Sequence, residues 1–378
     1  MKRKVIVAGH ICLDITPVFP AAKSGSIGEI LLPGKLIQMK EADVHTGGAV
    51  ANTGLAMRIL RADVSLMGKV GKDAFGEMVV HILESYGTAN GMLVSEGEST
   101  SYSVVLAVPG TDRIFLHNPG ANDSFRAADI PEEELREACL FHFGYPPLMK
   151  SMYENEGEEL CAVFRKAKEC GCATSLDLAA VDADSEAGKA DWKGILKKVL
   201  PYVDFFVPSV EELCFMLDRK KFEELSRRAG GADICDTKDI CDILDIEADV
   251  KPLAEQCLSY GAKAVLIKCG ARGMYYRTAD SETLNPLTEK LHLKMAAWAD
   301  REGVEASYKP ERILSGTGAG DTSIAAFLTA VLEGCSLEES IRLAAAEGAS
   351  CVAAYDALSG LKSLDELRAG IAAGWEKV

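Results

Sequence analysis

The sequence predicts an α/β protein: a three-layer sandwich with a mainly parallel central sheet between helices, plus a small β lid. Three observations carry that prediction. Short apolar runs alternate with helical stretches along most of the chain, as strands buried on both faces of a sheet do. Two glycine-rich turns, at 46–52 and 315–322, each run straight into a helical stretch. Two further stretches break the rhythm, one β-rich and one far too long for a simple connection.

Taken in order, residues 5–9 (VIVAG) read as a short buried strand and residues 48–60 as a helix packed by small side chains. Further strands are expected at 64–70, 140–145, 173–178, 203–208 and 264–268, with helices between most of them. Residues 101–108 and 113–118 are β-rich and joined by Pro109-Gly110-Thr111-Asp112, a hairpin signature. Residues 11–46 separate the first strand from the first helix, where a βα loop uses only a few residues. Residues 1–378 therefore read as one domain whose lid comes from segments 11–46 and 99–120. Residues 218–255 look like an insertion, in which Asp233, Asp236, Asp239, Asp242 and Asp245 recur at every third position. That spacing is not a calcium loop's, and a solvated helix face is the better reading. Residues 278–311 read as a second polar excursion, and SIAAFLTAVLEG at 323–334 as a helix closed by Gly334.

Composition narrows the function classes. Lys and Arg number 41 against 57 Asp and Glu, and the resulting net charge of −16 opposes nucleic-acid binding. At 378 residues, 48% of them hydrophobic, the chain can bury a sizeable core. Apolar runs such as 324–332 fall short of the ~20 residues that span a membrane. The opening MKRKVIVAGH turns polar too soon for a signal peptide, so a cytoplasmic protein with no membrane partner is expected. The cysteines are spread out and several (Cys12, Cys214, Cys257, Cys351) lie in apolar runs, which points to buried thiols rather than disulfides. No Cys/His group has zinc spacing.

The chemistry concentrates in SGTGAGDT at 315–322. Gly316, Gly318, Ala319 and Gly320 ahead of a helix let backbone N–H groups turn toward an anion, and the helix dipole adds to the attraction. Asp321, at the same helix start, reads either as an N-cap or as a base that takes the proton of a hydroxyl attacking phosphorus. A dinucleotide G-x-G-x-x-G motif does not fit, because the glycine spacing differs and the turn comes late in the chain. In TGGAVAN at 46–52, Gly47 and Gly48 permit a ligand to approach the backbone, and Asn52, one turn on, suits hydroxyl groups. Tight helix packing explains that segment equally well. Asp14 stands at the root of the lid.

These segments together resemble the ribokinase/PfkB family of carbohydrate kinases, and the resemblance runs through most of the chain. GTGAGD at 316–321 is similar to that family's C-terminal signature and TGGAVAN at 46–52 to its N-terminal double-glycine motif, in the family's order and separation. VIVAGHICLD at 5–14, MGKVGKDAFG at 67–76 and RIFLHNPGAN at 113–122 resemble its opening strand, the segment after its second strand, and its lid strand with the loop that returns to the sugar. The resemblance implies a ribokinase-like fold and ATP-dependent phosphorylation of a hydroxyl on a small sugar. Residue by residue, it implies Asp321 as general base and the amides of Gly318, Ala319 and Gly320 as the anion hole. It implies Asp14, Gly47, Gly48 and Asn52 as sugar ligands, and Lys268, Gly270, Gly273 and Gly320 as nucleotide contacts. Glu212, in VPSVEE at 207–212, would position magnesium through water.

Three positions depart from the family pattern. Ser209 replaces an Asn, and Ser209-x-x-Glu212 is in itself a good capping box. Ser315 stands where cation-activated members carry Asp, so potassium dependence is expected to be weak or absent. Strand 140–145 lacks the acidic sugar ligand of ribokinase proper. Hexose, pentose, ketodeoxy sugar acid and nucleoside stay open as acceptors, although Phe19 as the one aromatic in 11–46 favours a sugar. The alternatives are a nucleoside kinase of the same family and a non-catalytic sugar- or nucleotide-binding regulatory protein. Pairing of two lids into a homodimer is also open.

Overall fold

Val5 to Ala8 are apolar at every position, a pattern that belongs to a central strand covered on both faces. β1 (Lys4–Gly9) is that strand, and none of the four is accessible. The computed structural model describes residues 3–20, 30–108, 114–230 and 240–378. The other strands are β2 (Cys12–Pro17), β3 (Ala42–Gly47), β4 (Asp63–Gly71), β5 (Gly91–Ser95), β6 (Tyr102–Leu106), β7 (Ile114–Asn118), β8 (Ala138–Gly144), β9 (Ala173–Leu176), β10 (Phe205–Phe206), β11 (Ala264–Lys268), β12 (Met274–Thr278) and β13 (Glu302–Glu305).

Nine of them form one sheet in the order β13-β12-β11-β10-β9-β8-β1-β4-β5. From β11 across to β5 all neighbours run parallel, while β12 and β13 add an antiparallel edge. Alternate side chains of β1 feed different layers. Val5 and Val7 join Leu66, Leu140, Ile324 and Phe327 on one face, and Ile6 and Ala8 join Phe141, Phe143 and Phe164 on the other. On the first face the helices Ala49–Ile59 and Ala319–Glu333 pack against each other; on the second lies the helix Glu158–Glu169. This is the predicted three-layer sandwich.

The remaining strands form a smaller sheet in the order β3-β2-β6-β7. β2 pairs antiparallel with β3 and parallel with β6, and β6 pairs antiparallel with β7. It is drawn from the two stretches that broke the α/β alternation, although the turn residues Pro109-Gly110-Thr111-Asp112 lie outside the described residues.

Several elements differ from expectation for local reasons. The strands expected at 140–145 and 173–178 stop at Gly144 and Leu176. Tyr145 turns into the left-handed region (φ 66°) ahead of Pro146 and Pro147, which have no N–H to continue a ladder. The strand expected at 203–208 pairs over only two residues. The stretch 278–311 is not a loop: Asp280 caps a helix, Ser281–Leu291, that buries Leu284, Leu287 and Leu291, and β13 extends the sheet edge. In the insertion, Asp242 and Asp245 are both exposed, Asp242 on the short helix Ile240–Ile243 and Asp245 as a cap that accepts from the Ala248 amide. Asp233, Asp236 and Asp239 lie outside the described residues. The described cysteines are free thiols, and no described helix is long and apolar enough to cross a membrane.

Candidate active site

In open parallel sheets, ligands bind beyond the C-terminal ends of the strands. Across adjacent strands β11, β10, β9, β8 and β1, the residues at or just past that edge are Lys268, Ser209, Asp177, Tyr145 and His10. The helix Ala319–Glu333 begins over the same edge. Its N-cap is Gly318 at φ 75°, where a side chain would strike Ala357 as well as strain the backbone. The first-turn amides of such a helix lack intrahelical partners, and the Ala319 amide has only a long 3.4 Å contact to the Gly316 carbonyl.

Asp321 does not cap this helix. It lies in the first turn, only 4% exposed, and turns its carboxylate to three donors. Thr53 Oγ1 donates to Oδ1 at 3.2 Å, and Asn52 Nδ2 donates to Oδ2 at 3.0 Å. The Tyr145 hydroxyl reaches both oxygens, at 2.8 and 2.7 Å. Burial pushes the Asp321 carboxyl above its usual range, opposed by Lys268, Tyr145, Asn52 and Thr53. The result is a buried carboxylate whose readiness for a proton is greater than in water.

Lys268 Nζ donates to Asp177 Oδ1 at 2.7 Å and lies 3.5 Å from the point where a Gly320 side chain would begin. The ammonium therefore rests against the glycine turn. Burial works against its charge, but Asp177, Glu212 and Asp321 together hold it raised. Burial pushes Asp177 up to about 8, with Glu212 and Asp321 adding to the effect and Lys268 opposing it. Glu212 forms the expected capping box: its Oε2 accepts from the Ser209 amide at 2.8 Å, and Ser209 Oγ accepts from the Glu212 amide at 3.3 Å. Three carboxylates around one ammonium favour a divalent cation. Among the described residues no three His, Cys, Asp or Glu side chains converge to hold one alone. The donor set thus fits a metal that keeps water and phosphate oxygens, as magnesium does.

Toward the smaller sheet the surroundings change. Gly48 has φ 86°, and a Cβ there would lie 2.5 Å from His10 Nδ1, so glycine alone lets the helix start close over that ring. Asp14 lies against Gly47 and accepts from Cys12 Sγ at 3.2 Å and from Ser103. The His10 ring sits 5.1 Å from His117 and 6.1 Å from Tyr145. Ser101 Oγ donates to the Asn118 carbonyl, so its 3.5 Å contact with His10 Nε2 requires the proton on that nitrogen. Likewise, a Ser103 hydroxyl committed to Asp14 leaves His117 Nδ1 to donate to it at 3.0 Å. His10 Nδ1 and His117 Nε2 are left as buried acceptors with no partner among the described residues. Burial lowers the pKa of both rings, most strongly for His10, where His117 adds to it, and both stay neutral.

Of the residues singled out from the sequence, the structure brings Asp321, Gly318, Ala319, Gly320, Lys268, Asn52 and Glu212 to one end of the cleft. Asp14, Gly47 and Gly48 stand beside His10 on the other. Asn52 points its amide at Asp321. Gly270 and Gly273 lie on the turn between β11 and β12, where Cys269 N donates to the Gly273 carbonyl. Sequence reasoning missed His10, His117, Tyr145 and Asp177. The strands expected at 140–145 and 173–178 take in Tyr145 as a last residue and Asp177 as an interior one, although a lone Asp in the apolar run SLDLAA is the signal that its strand stops there.

Comparisons with known proteins identify the family and the fold. A sequence profile described as pfkB family carbohydrate kinase matches residues 2–363. The chain is 25% identical over 309 residues to an uncharacterised sugar kinase of Archaeoglobus fulgidus, covering 81% of this chain and 98% of that one. It is 23% identical over 377 residues to the 5-dehydro-2-deoxygluconokinase of Clostridium beijerinckii, covering 97% and 92%. Among solved structures, Xylella fastidiosa fructokinase with bound ATP shares the fold at TM-score 0.71 and 18% identity, covering 99% of both chains. Arabidopsis thaliana ribokinase complexed with ribose and ATP does so at 0.67 and 20%, covering 98% of both. A profile that spans nearly the whole chain, over a fold shared from end to end, makes this protein a member of the pfkB family of carbohydrate kinases.

Proposed function

We propose that the protein transfers the γ-phosphoryl group of ATP to a hydroxyl of a small, polyhydroxylated sugar, with Asp321 as general base. The observation that carries this reading is the buried Asp321 carboxylate directly behind the glycine turn, with the Lys268 ammonium beside it. As the acceptor oxygen bonds to phosphorus, Asp321 takes its proton. The Gly318, Ala319 and Gly320 amides, reinforced by the helix dipole, receive the charge of the transferring group. Lys268 holds the phosphates on the opposite side, with the β11–β12 turn and its Gly270 and Gly273 toward the nucleotide. Glu212 would hold magnesium through water, and the ion would neutralise polyphosphate charge.

The acceptor lies between Asp321 and the smaller sheet, which acts as the lid and excludes water. Asp14, the neutral rings of His10 and His117 and the backbone at Gly47 and Gly48 line that space. Two bare imidazole nitrogens and a carboxylate call for hydroxyl donors, which supports a polyol. The test is ATP consumption with a panel of sugars, repeated with Asp321→Asn. That variant is expected to fold and bind ATP but to lose about 10²-fold or more in turnover. Near-normal turnover by folded Asp321→Asn removes the base from the mechanism.

A further inference from the structure

The donors on Asp321 crowd both of its oxygens. A carboxylate offers about two acceptor positions on each oxygen. Thr53 holds Oδ1, Asn52 holds Oδ2, and the one phenolic proton of Tyr145 is shared between the two. A phenol that straddles both oxygens stands where an acceptor hydroxyl would approach them. Asn52 and Thr53 sit in the helix Ala49–Ile59, which is packed against the helix that carries Asp321, and Thr53 is fully buried. Tyr145 is placed differently. It hangs beyond the end of β8 on a left-handed residue between Gly144 and Pro146, is half-buried, and rests its ring on His10 at the edge of the acceptor space. Rotation of its side chain frees both oxygens at once and disturbs no ladder.

We propose that the Tyr145 phenol is a stopper on the base: it covers Asp321 in the acceptor-free enzyme and gives way only when an acceptor hydroxyl takes its place. The inference rests on Asp321 as general base and concerns what guards it. The phenol itself exchanges no proton. In the productive step the acceptor O–H breaks to Asp321, the new P–O bond forms, and the bridging P–O bond to ADP breaks. With the phenol in place, water is denied the same position, and wasteful ATP hydrolysis is held down.

The proposal separates two pH profiles. The groups facing Asp321 are Lys268 and Asp177 from the strand ends, Cys351 from the helix Leu337–Cys351, and Tyr145 itself, while Glu212, in the first turn of the helix Val210–Leu217, acts on Lys268, Asp177 and Tyr145. Tyr145 donates to the carboxylate and so favours its ionised form; without it the carboxyl rises further. The acid limb of kcat/KM reports the free enzyme, in which the phenol is bound, and that of kcat reports the complex, from which it has moved.

The experiment compares Tyr145→Phe and Tyr145→Asn with the native enzyme, Asn being tolerated in the left-handed region. Thermal unfolding verifies that at least one of the two is folded. The expected result is a rise of about tenfold or more in acceptor-independent ATP hydrolysis relative to sugar phosphorylation, larger for Asn. The acid limb of kcat/KM moves to higher pH while that of kcat stays. A fall of about 10²-fold in kcat in the folded variants would show the phenol relaying the proton, and overturns the stopper. Unchanged hydrolysis together with an unmoved kcat/KM limb overturns it as well. Asp321→Asn assayed alongside keeps the two readings apart: if it retains turnover, the base assignment fails, whatever Tyr145 does.

Discussion

The two ends of the cleft are built on opposite principles. At the phosphoryl end every charged group has a partner: Lys268 with Asp177, Asp321 with Asn52, Thr53 and Tyr145, and Glu212 with the Ser209 amide. At the acceptor end, two buried imidazole nitrogens, His10 Nδ1 and His117 Nε2, have none among the described residues. A buried polar atom without a partner costs on the order of 1–3 kcal/mol, so each is a place where a ligand gains what the free protein lacks. On the proposed reading, the phosphoryl end holds its charges in place before substrate arrives, with the Tyr145 phenol alone to move, and the acceptor end is completed by the substrate.

The preorganised end should break most sharply. Beyond Asp321→Asn, Lys268→Met is expected to lower turnover by about 10²-fold, as removal of a transition-state charge partner does. It also leaves Asp177 buried alone. Because burial already pushes Asp177 up to about 8, that carboxyl escapes by taking a proton, and the loss of stability is limited near neutral pH and grows as pH rises past 8. Lys268→Met with Asp177→Asn should therefore recover the melting temperature at pH 9 but none of the turnover. Recovery of turnover would move Lys268 out of the phosphoryl site.

The acceptor end should respond in KM rather than kcat. Asp14→Ala is expected to raise the acceptor KM by about 1–3 kcal/mol in binding, roughly fivefold to 160-fold, with the ATP KM unchanged. Steady-state kinetics with each substrate varied in turn decide it, and equal losses for both substrates would erase the distinction between the two ends.

The smallest effect concerns potassium. Ser315 Oγ donates to Thr317 Oγ1 at 2.9 Å and accepts from the Thr317 amide at 3.1 Å, so this turn offers a cation only dipoles that are already paired with one another. Turnover in potassium against a bulky organic cation, at fixed ionic strength and magnesium, should differ by less than about tenfold. Activation of about a hundredfold, roughly 2.7 kcal/mol in the barrier, would show that the full charge of an Asp is not needed there.

What the sequence determined by itself was whatever depends on neighbours in the chain. Alternating apolar runs fixed the parallel sheet, because a strand buried on both faces must be apolar throughout. The glycine turn before a long helix marked Asp321, and Ser209-x-x-Glu212 announced its capping box, because φ preference and helix ends are local requirements. It misread residues 278–311 because a helix buried on only Leu284, Leu287 and Leu291 leaves too thin an apolar stripe to stand out. Tertiary structure alone decided that residues 10, 145, 177 and 268 are neighbours, since only the strand order sets those strand ends along one edge. Their chemistry followed from that placement: the same Asp, Tyr and His side chains in water would be an ordinary acid, a free phenol and titrating rings. Burial beside one another makes them a carboxyl held above its usual range, a phenol bonded to it and two rings with bare acceptor nitrogens, because low dielectric and fixed partners, not residue type, set which form each side chain holds.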